Sequence, residues 1–208
     1  MTPTPRDLFH NYLIKNFRVS HETLNHFDSY FFLLQKWQKQ INLTSHSEEI
    51  WERHFIDSVQ LANFLPDKKI SIIDIGSGGG FPSIPLAILG YDNITMIESD
   101  TKKCVFLKEA LRVTFSQGNV LNTRIEQVKN TSASIVTSRA CADLQTLLKY
   151  SFPFVSHGTI CLFLKGKKYA MEIETAKENW EFDCKFTPSI TSSEGVVLTI
   201  TNIKKQGS

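Results

Sequence analysis

No stretch of this sequence is apolar for long enough to cross a bilayer, which takes about 20 residues as a helix. A secretory signal is not expected either. Pro3, Pro5, Arg6, Asp7 and His10 interrupt any apolar core within residues 1–18. Cysteine is scarce, with four among 208 residues, at positions 104, 141, 161 and 184. They form no Cys-x-x-Cys pair, which argues against a zinc ribbon or a dithiol motif. Cys161 lies in an apolar run and reads as a small core residue. An excess of one charge is lacking too. The formal net charge is +2, so obligate nucleic-acid binding does not follow from the balance, although a local basic patch stays open. The expectation is a cytoplasmic, monomeric protein with reduced thiols, no membrane partner and no metal.

What is present is enough chain for one α/β domain and a small appendage. Residues 1–66 read as a helical extension. Asp7 is placed to cap a short helix through Phe17. Ser20 opens a better one to about Gln40, with Leu24, Phe27, Phe31 and Leu34 on one face. Asn42 to Ser45 reads as a loop. A third helix is expected from Ser47, Glu48 and Glu49 to about Phe64, ended by Pro66. Phe27, Tyr30, Phe31, Phe32 and Trp37 are expected to pack as core against the next domain.

From residue 67 to 208 strands alternate with helices. Ile70–Ile75, Asn93–Glu98, Val120–Thr123, Ser134–Ser138 and Thr159–Leu164 read as strands. Ser83–Leu89, Lys102–Val113, Leu144–Tyr150 and, more weakly, Ile173–Asn179 read as helices. Phe182–Phe186 and Val196–Asn202 alternate as a terminal antiparallel pair. The fold expected is α/β: a mostly parallel, doubly wound sheet with helices on both faces.

The most informative stretch is Asp74-Ile75-Gly76-Ser77-Gly78-Gly79-Gly80-Phe81-Pro82, a strand running through a glycine turn into a helix. Glycine lets a backbone pass close to a ligand. A dinucleotide loop needs Gly-x-Gly-x-x-Gly, and its third glycine would fall at Phe81. Pro82 also removes an amide that a phosphate would want. The spacing suits S-adenosylmethionine, which has no phosphate, with Asp74 beside an ammonium group or an ordered water. Glu98, at the end of the second strand, is placed to accept hydrogen bonds from both ribose hydroxyls. Asp100 is the alternative, and a solvated strand-end carboxylate the plainer reading.

The ordered set Asn42-Leu43-Thr44, Arg53-His54-x-x-Asp57-Ser58, Asp74-x-Gly76-Ser77-Gly78-x-Gly80-Phe81-Pro82, Glu98, Lys103, Phe106-Leu107, Arg124-x-Glu126, Ser138-Arg139-Ala140 and Lys165-Gly166 resembles the ribosomal small-subunit methyltransferase G family, also known as glucose-inhibited division protein B. The resemblance runs from Asn42 to Gly166. It implies a class I methyltransferase fold. The reaction it implies is methyl transfer from S-adenosylmethionine to N7 of a guanine in 16S ribosomal RNA, with that RNA or the small subunit as partner. Gly76, Phe81, Ile125 with Glu126, and Arg139 match the family's cofactor-contacting positions. Two positions depart: Ser83 stands where the family usually has glycine, and Ala133-Ser134 precedes the fourth strand in place of an apolar-Asp pair. The first departure bears on where the following helix begins.

Guanine N7 carries a lone pair and no proton, so its methylation needs no general base. Proximity and in-line orientation would supply the rate. Arg139 is the candidate catalytic residue. Because N7 must stay free, its guanidinium would bond guanine O6, a phosphate or the cofactor carboxylate. A salt bridge to Asp143, four residues on, is the structural alternative. Past the third strand, the Ile125 amide would meet an adenine ring nitrogen and Glu126 the exocyclic amine. Candidate substrate contacts are Arg53, His54, Arg124 and Lys165, the last opening a cluster with Lys167 and Lys168. His54 and Asp57 share a helix face, as a hydrogen-bonded pair or a pocket wall. Two other functions compete: a small-molecule methyltransferase, and a cofactor-binding regulatory module without catalysis.

Overall fold

The computed structural model describes residues 2–44, 49–129, 131–139 and 141–207. The expected helix start at Ser47 and Glu48, and Ala140 of the Ser-Arg-Ala motif, lie outside them. Among the described residues seven strands form one sheet in the order β3-β2-β1-β4-β5-β7-β6. They are β1 (Ile72–Ile75), β2 (Ile94–Glu98), β3 (Asn119–Asn122), β4 (Ile135–Arg139), β5 (Ile160–Lys165), β6 (Trp180–Pro188) and β7 (Val196–Lys205). The first five are parallel; β7 runs antiparallel to both β5 and β6. Helices α4 (Ser83–Ile88), α5 (Thr101–Val113), α6 (Leu144–Ser151) and α7 (Tyr169–Lys177) connect them. The α/β expectation holds, as does the terminal antiparallel pair. α4 begins at Ser83 itself, so the serine at that departure opens the helix.

The connectivity fixes where a ligand can sit. From β1 the chain builds outward to β2 and β3, then crosses back to lay β4 on the other side of β1. The crevice between the carboxyl ends of β1 and β4 is thus a topological switch point. Register aligns that edge: Ile75 pairs with Ile97, Glu98 with Asn122, and Arg139 with Leu164.

Alternate strand residues feed opposite faces. Ile72, Ile94, Met96 and Leu162 join one apolar cluster with α4, α5 and the N-terminal helices. Ile73, Ile75, Ile97 and Phe163 join another beneath α6 and α7. Cys161 is buried in the second cluster, as its run predicts. No helix among the described residues is long and apolar enough to cross a membrane.

In the N-terminal part, α1 (Pro5–Phe17) is capped by Thr4, not Asp7. Asp7 is the third residue of the helix and returns the bond to the Thr4 amide, completing a capping box, while Pro5 takes the first helical position. Ser20 caps α2 (His21–Gln38) as expected. The buried face of α2 is Leu24, Phe27, Tyr30 and Leu34. Phe31 is partly buried, stacked on Trp51 at 4.5 Å. Phe32 is 64% exposed and is not core: two residues past Tyr30, the helix has turned it to solvent. The third helical segment is irregular. It begins as a π-helix, Ile50–Ile56, tightens through α3 (Asp57–Val59) and ends as a 3₁₀ turn, Gln60–Phe64. π-turns concentrate at functional sites, and this one carries Arg53 and His54.

Candidate active site

β1 ends beneath the glycine turn. The amides of Gly76 and Ser77 both donate to the Ile97 carbonyl, at 3.0 and 3.2 Å, tying the turn to the end of β2. Gly76 has a φ of +67°, and a Cβ there would lie 2.4 Å from Cys141 Sγ. At Gly79 the constraint is proximity alone: a Cβ would come 2.8 Å from the Leu43 carbonyl oxygen. Glycine at these two positions is therefore required by backbone shape in one case and close approach in the other.

Asp74 lies fully buried under the turn, and among the described residues neither of its carboxylate oxygens has a hydrogen-bond partner. Burial pushes its pKa up to about 7, and the nearby Glu98 charge adds to that. The Ser77 and Ser83 hydroxyls and the Arg139 charge act against it, although Ser77 Oγ donates to the Asp74 main-chain oxygen instead, at 3.2 Å. A buried carboxylate without partners is costly and suits a cationic or donor group.

Glu98 is buried at the end of β2. Its Oε2 accepts from the Gly78 amide at 2.9 Å and its Oε1 from the Asp100 amide at 2.8 Å. It therefore braces the glycine turn, and each oxygen keeps a lone pair for another donor. Asp100, the alternative, instead caps α5 through the amides of Lys102 and Lys103. A cleft of about 160 Å³ opens here, lined by Gly76, Glu98, Arg124, Ile125, Glu126, Tyr150 and Cys141 among others. Ile125 and Glu126 belong to a single 3₁₀ turn after β3. Gly76, Glu98, Ile125 and Glu126 thus come together, while Asp74 lies below them.

Phe81 and Arg139 face a different way. The Arg139 guanidinium lies 5.0 Å from the Phe81 ring centre, and His54 stacks on that ring at 5.1 Å. Arg139 Nη1 donates to the Arg53 carbonyl at 3.0 Å, and Nη2 meets His54 Nδ1. A guanidinium has donors only, so in this contact His54 Nδ1 is the accepting atom. Arg139 Nη1 is also 3.8 Å from Asp57 Oδ2. Asp143, the partner suggested by spacing, instead caps α6 through the Thr146 amide at 2.8 Å. The i+4 rule fails because Arg139 ends a strand and Asp143 precedes a helix.

Arg53, His54, Asp57 and Arg139, though not Phe81, wall a second cleft of about 770 Å³, which also takes in Lys165, Lys168, Met171, Ser189 and Thr191. Cys141 lines both clefts, so they meet there. Lys165 turns inward, donating to the Ala142 carbonyl at 2.7 Å and pairing with Glu172 at 2.5 Å. It is not part of a solvated lysine cluster; Lys167 and Lys168 are exposed beside it. Arg53 is half-exposed and paired with Glu49. Arg124 is exposed on the rim of the smaller cleft.

Sequence reading missed several residues. Tyr30 OH donates to the Gly79 carbonyl, so α2 holds the glycine turn from behind. Gln38 accepts from the Leu43 and Thr44 amides and donates to the Thr44 carbonyl, at 2.9, 3.1 and 2.8 Å, fixing the strand of chain that touches Gly79. Tyr150 and Cys141 gave no local signal. The His54–Asp57 spacing did point to one face, but not to Arg139 across it. Among the described residues no group of three His, Cys, Asp or Glu side chains is arranged to hold a metal ion.

Comparison with known proteins accords with this geometry. Residues 23–200 match the family model for rRNA small subunit methyltransferase G. A Ribosomal RNA small subunit methyltransferase G from Rhodospirillum centenum is 42% identical over 193 residues, covering 92% of this chain and 89% of that one. Its counterpart from Rickettsia prowazekii is 40% identical over 190 residues, covering 90% and 98%. Among solved structures, a ribosomal protein L11 methylase from Lactobacillus delbrueckii subsp. bulgaricus superposes with a TM-score of 0.59 at 12% identity, over 76% of this chain and 80% of that one. An O-methyltransferase from Bacillus cereus gives 0.57 at 13%, over 92% and 96%. Both carry the class I methyltransferase fold seen here, and the sequence relatives are closer still: the chain belongs to the rRNA small subunit methyltransferase G family.

Proposed function

We propose that this protein transfers a methyl group from S-adenosylmethionine to N7 of a guanine in 16S ribosomal RNA. The observation that carries the reading is the pair of clefts at the switch point, one built on the glycine turn and Glu98, the other on Arg139, meeting at Cys141. Relatives at about 40% identity bear the name of the rRNA enzyme.

The residues present fit the cofactor. The unpartnered Asp74 carboxylate suits its ammonium end, directly or through water. Glu98 would take the ribose hydroxyls while keeping its bonds to the turn. Ile125 would offer its amide to an adenine ring nitrogen and Glu126 would accept from the exocyclic amine. Gly76 and Gly78 would let the backbone approach, with Phe81 supporting the turn from below. When bound, S-adenosylmethionine supplies an activated methyl on a sulfonium. Transfer to the N7 lone pair would release the sulfur as a neutral thioether, so no residue of the chain would have to take up a proton.

The chain's own part is then positioning. Arg139 would hold guanine O6 or an adjacent phosphate, leaving N7 open. His54 would not act as a base, because its Nδ1 already accepts from Arg139. Lys167 and Lys168, with Arg53 and Arg124, would meet the RNA backbone at the rims. Lys165 would shape the wall through its ion pair. The helical residues 1–66 would serve as the prop of the glycine turn. A ribosomal RNA substrate makes the cytoplasm the site of action, and a monomer suffices, since both clefts are built from one chain.

The test supplies labelled S-adenosylmethionine with unmodified small subunits and with naked 16S RNA, then maps the label by cleavage at N7-methylguanine. Label at a single guanine N7 is expected. Label on an exocyclic amine or only on small molecules would point to another methyltransferase. Tight cofactor binding with no transfer at all would point to a regulatory module.

A further inference from the structure

Asp57 sits on the third helical segment, and its carboxylate gathers three parts of the chain. Oδ1 accepts from Gln60 Nε2 at 2.5 Å, from Ser189 Oγ at 3.0 Å and from Thr191 Oγ1 at 3.1 Å. Oδ2 faces Arg139 Nη1 at 3.8 Å. The Ile190 amide donates to Gln60 Oε1 at 3.2 Å, so the β6–β7 turn is held at two points. The two charged side chains are largely buried, 17% and 14% exposed. Such a carboxylate is stable only with partners of this kind. Among the described residues Asp57 is the carboxylate within ion-pair range of Arg139, Asp74 acting on it only through its charge, and the arginine's hydrogen bonds go to the Arg53 carbonyl and the His54 ring.

We propose that Asp57 is a positioning residue for the methyl transfer, fixing the Arg139 guanidinium in the larger cleft while the β6–β7 turn braces Asp57 in place. The inference rests on the methyltransferase reading given above. Its chemistry is specific. Three donors saturate Oδ1 and leave Oδ2 for the guanidinium. Asp57→Asn keeps the size and the Oδ1 acceptor but turns an amide N–H toward Arg139, removing the countercharge and adding a competing donor.

The experiment compares wild type, Asp57→Asn, Arg139→Lys and the double variant, with unmodified small subunits and labelled S-adenosylmethionine. Asp57→Asn should lower kcat by about tenfold to hundredfold, the scale of a misplaced orienting group. Affinity for S-adenosylhomocysteine should stay within about twofold, because Asp57 does not touch the smaller cleft. In the Arg139→Lys background the same change should have little further effect. A purely structural Asp57 would instead multiply its loss onto that of Arg139→Lys, and that outcome would overturn the inference, as would a wild-type kcat for Asp57→Asn. A second readout needs no turnover: the Arg139 side-chain NMR resonances should shift in Asp57→Asn, and unmoved resonances contradict the inference. Absence of transfer by the wild type, in contrast, rejects the functional reading and leaves Asp57 to be decided by the resonances.

Discussion

The two clefts that meet at Cys141 are built in different ways. The smaller one comes from successive strand ends of a single sheet: the turn after β1, Glu98 ending β2, and Ile125 and Glu126 after β3. Each group lies a few residues from a strand, so register alone brings them together. The larger cleft draws on four distant segments, around Arg53 to Asp57, Arg139 to Asp143, Leu164 to Glu172 and Ser189 to Val196. The last three lie at neighbouring strand ends, Arg139 pairing with Leu164 and Lys165 with Val196, but the Arg53 to Asp57 segment is tied to them through side-chain contacts. A site made by local register is robust and local in its defects. A site made by long-range polar contacts depends on each contact, and damage there should change the acceptor step without touching cofactor binding.

That difference can be broken at several points. The largest effect should come from Arg139→Ala, which removes the charged group of the larger cleft. Methyl transfer should fall about a hundredfold or more, as when one orienting donor is lost, while S-adenosylhomocysteine affinity in calorimetry barely moves. A matching loss of cofactor affinity would show that the two clefts are not separable. Glu98→Ala should do the reverse. It removes a charged acceptor from the Gly78 amide and from the proposed ribose contact, weakening cofactor affinity by roughly 10- to 100-fold. Transfer at saturating cofactor should remain near wild type, and unchanged affinity would remove Glu98 from the cofactor site.

Asp74 sharpens the comparison through pH. Its folded pKa of about 7 exceeds the ordinary 3.8, so the folded protein binds this proton more tightly than the unfolded chain. Its contribution to the stability of the ligand-free protein is complete below 3.8 and is lost as pH rises to about 7. An ammonium ligand favours the charged form. Cofactor affinity should therefore rise as pH climbs to 7, by up to about tenfold per pH unit for one proton released. Asp74→Asn should flatten that slope. A flat wild-type profile between pH 5.5 and 7.5, roughly the window that surrounds this titration, would separate Asp74 from the cofactor. The smallest effect is expected for Tyr30→Phe, which leaves the Gly79 carbonyl without its donor. Thermal or denaturant unfolding should show a loss of about 1 kcal/mol, with a few-fold weaker cofactor affinity. No change in either would mean that α2 does not hold the turn.

The same contrast explains what could be read from the sequence. The glycine turn and Glu98 were legible because each is a short pattern at a strand end, and the strand–helix alternation fixed their common edge; Ile125 and Glu126 came only from the family resemblance. Arg139 was legible as a residue but not in its company: spacing suggested Asp143, whereas the fold brings Asp57 from 82 positions earlier in the chain. Lys165 read as a substrate contact opening a cluster with Lys167 and Lys168, yet Glu172, one α-helix on, draws it inward. The helical extension read as core packing, and Leu24, Phe27 and Leu34 bear that out. Its polar role, Tyr30 on Gly79 and Gln38 on Leu43 and Thr44, has no sequence period because each bond depends on how helices pack. Phe32 shows the limit of counting aromatics: composition places five together, and helix phase decides which of them see solvent.

The most direct measurement is a crystal structure with S-adenosylhomocysteine bound. The account predicts ribose hydroxyls on Glu98, adenine beside Ile125 and Glu126, and the sulfur directed past Cys141 toward the cleft of Arg139. Adenine lodged instead among Arg53, His54 and Arg139 would contradict it.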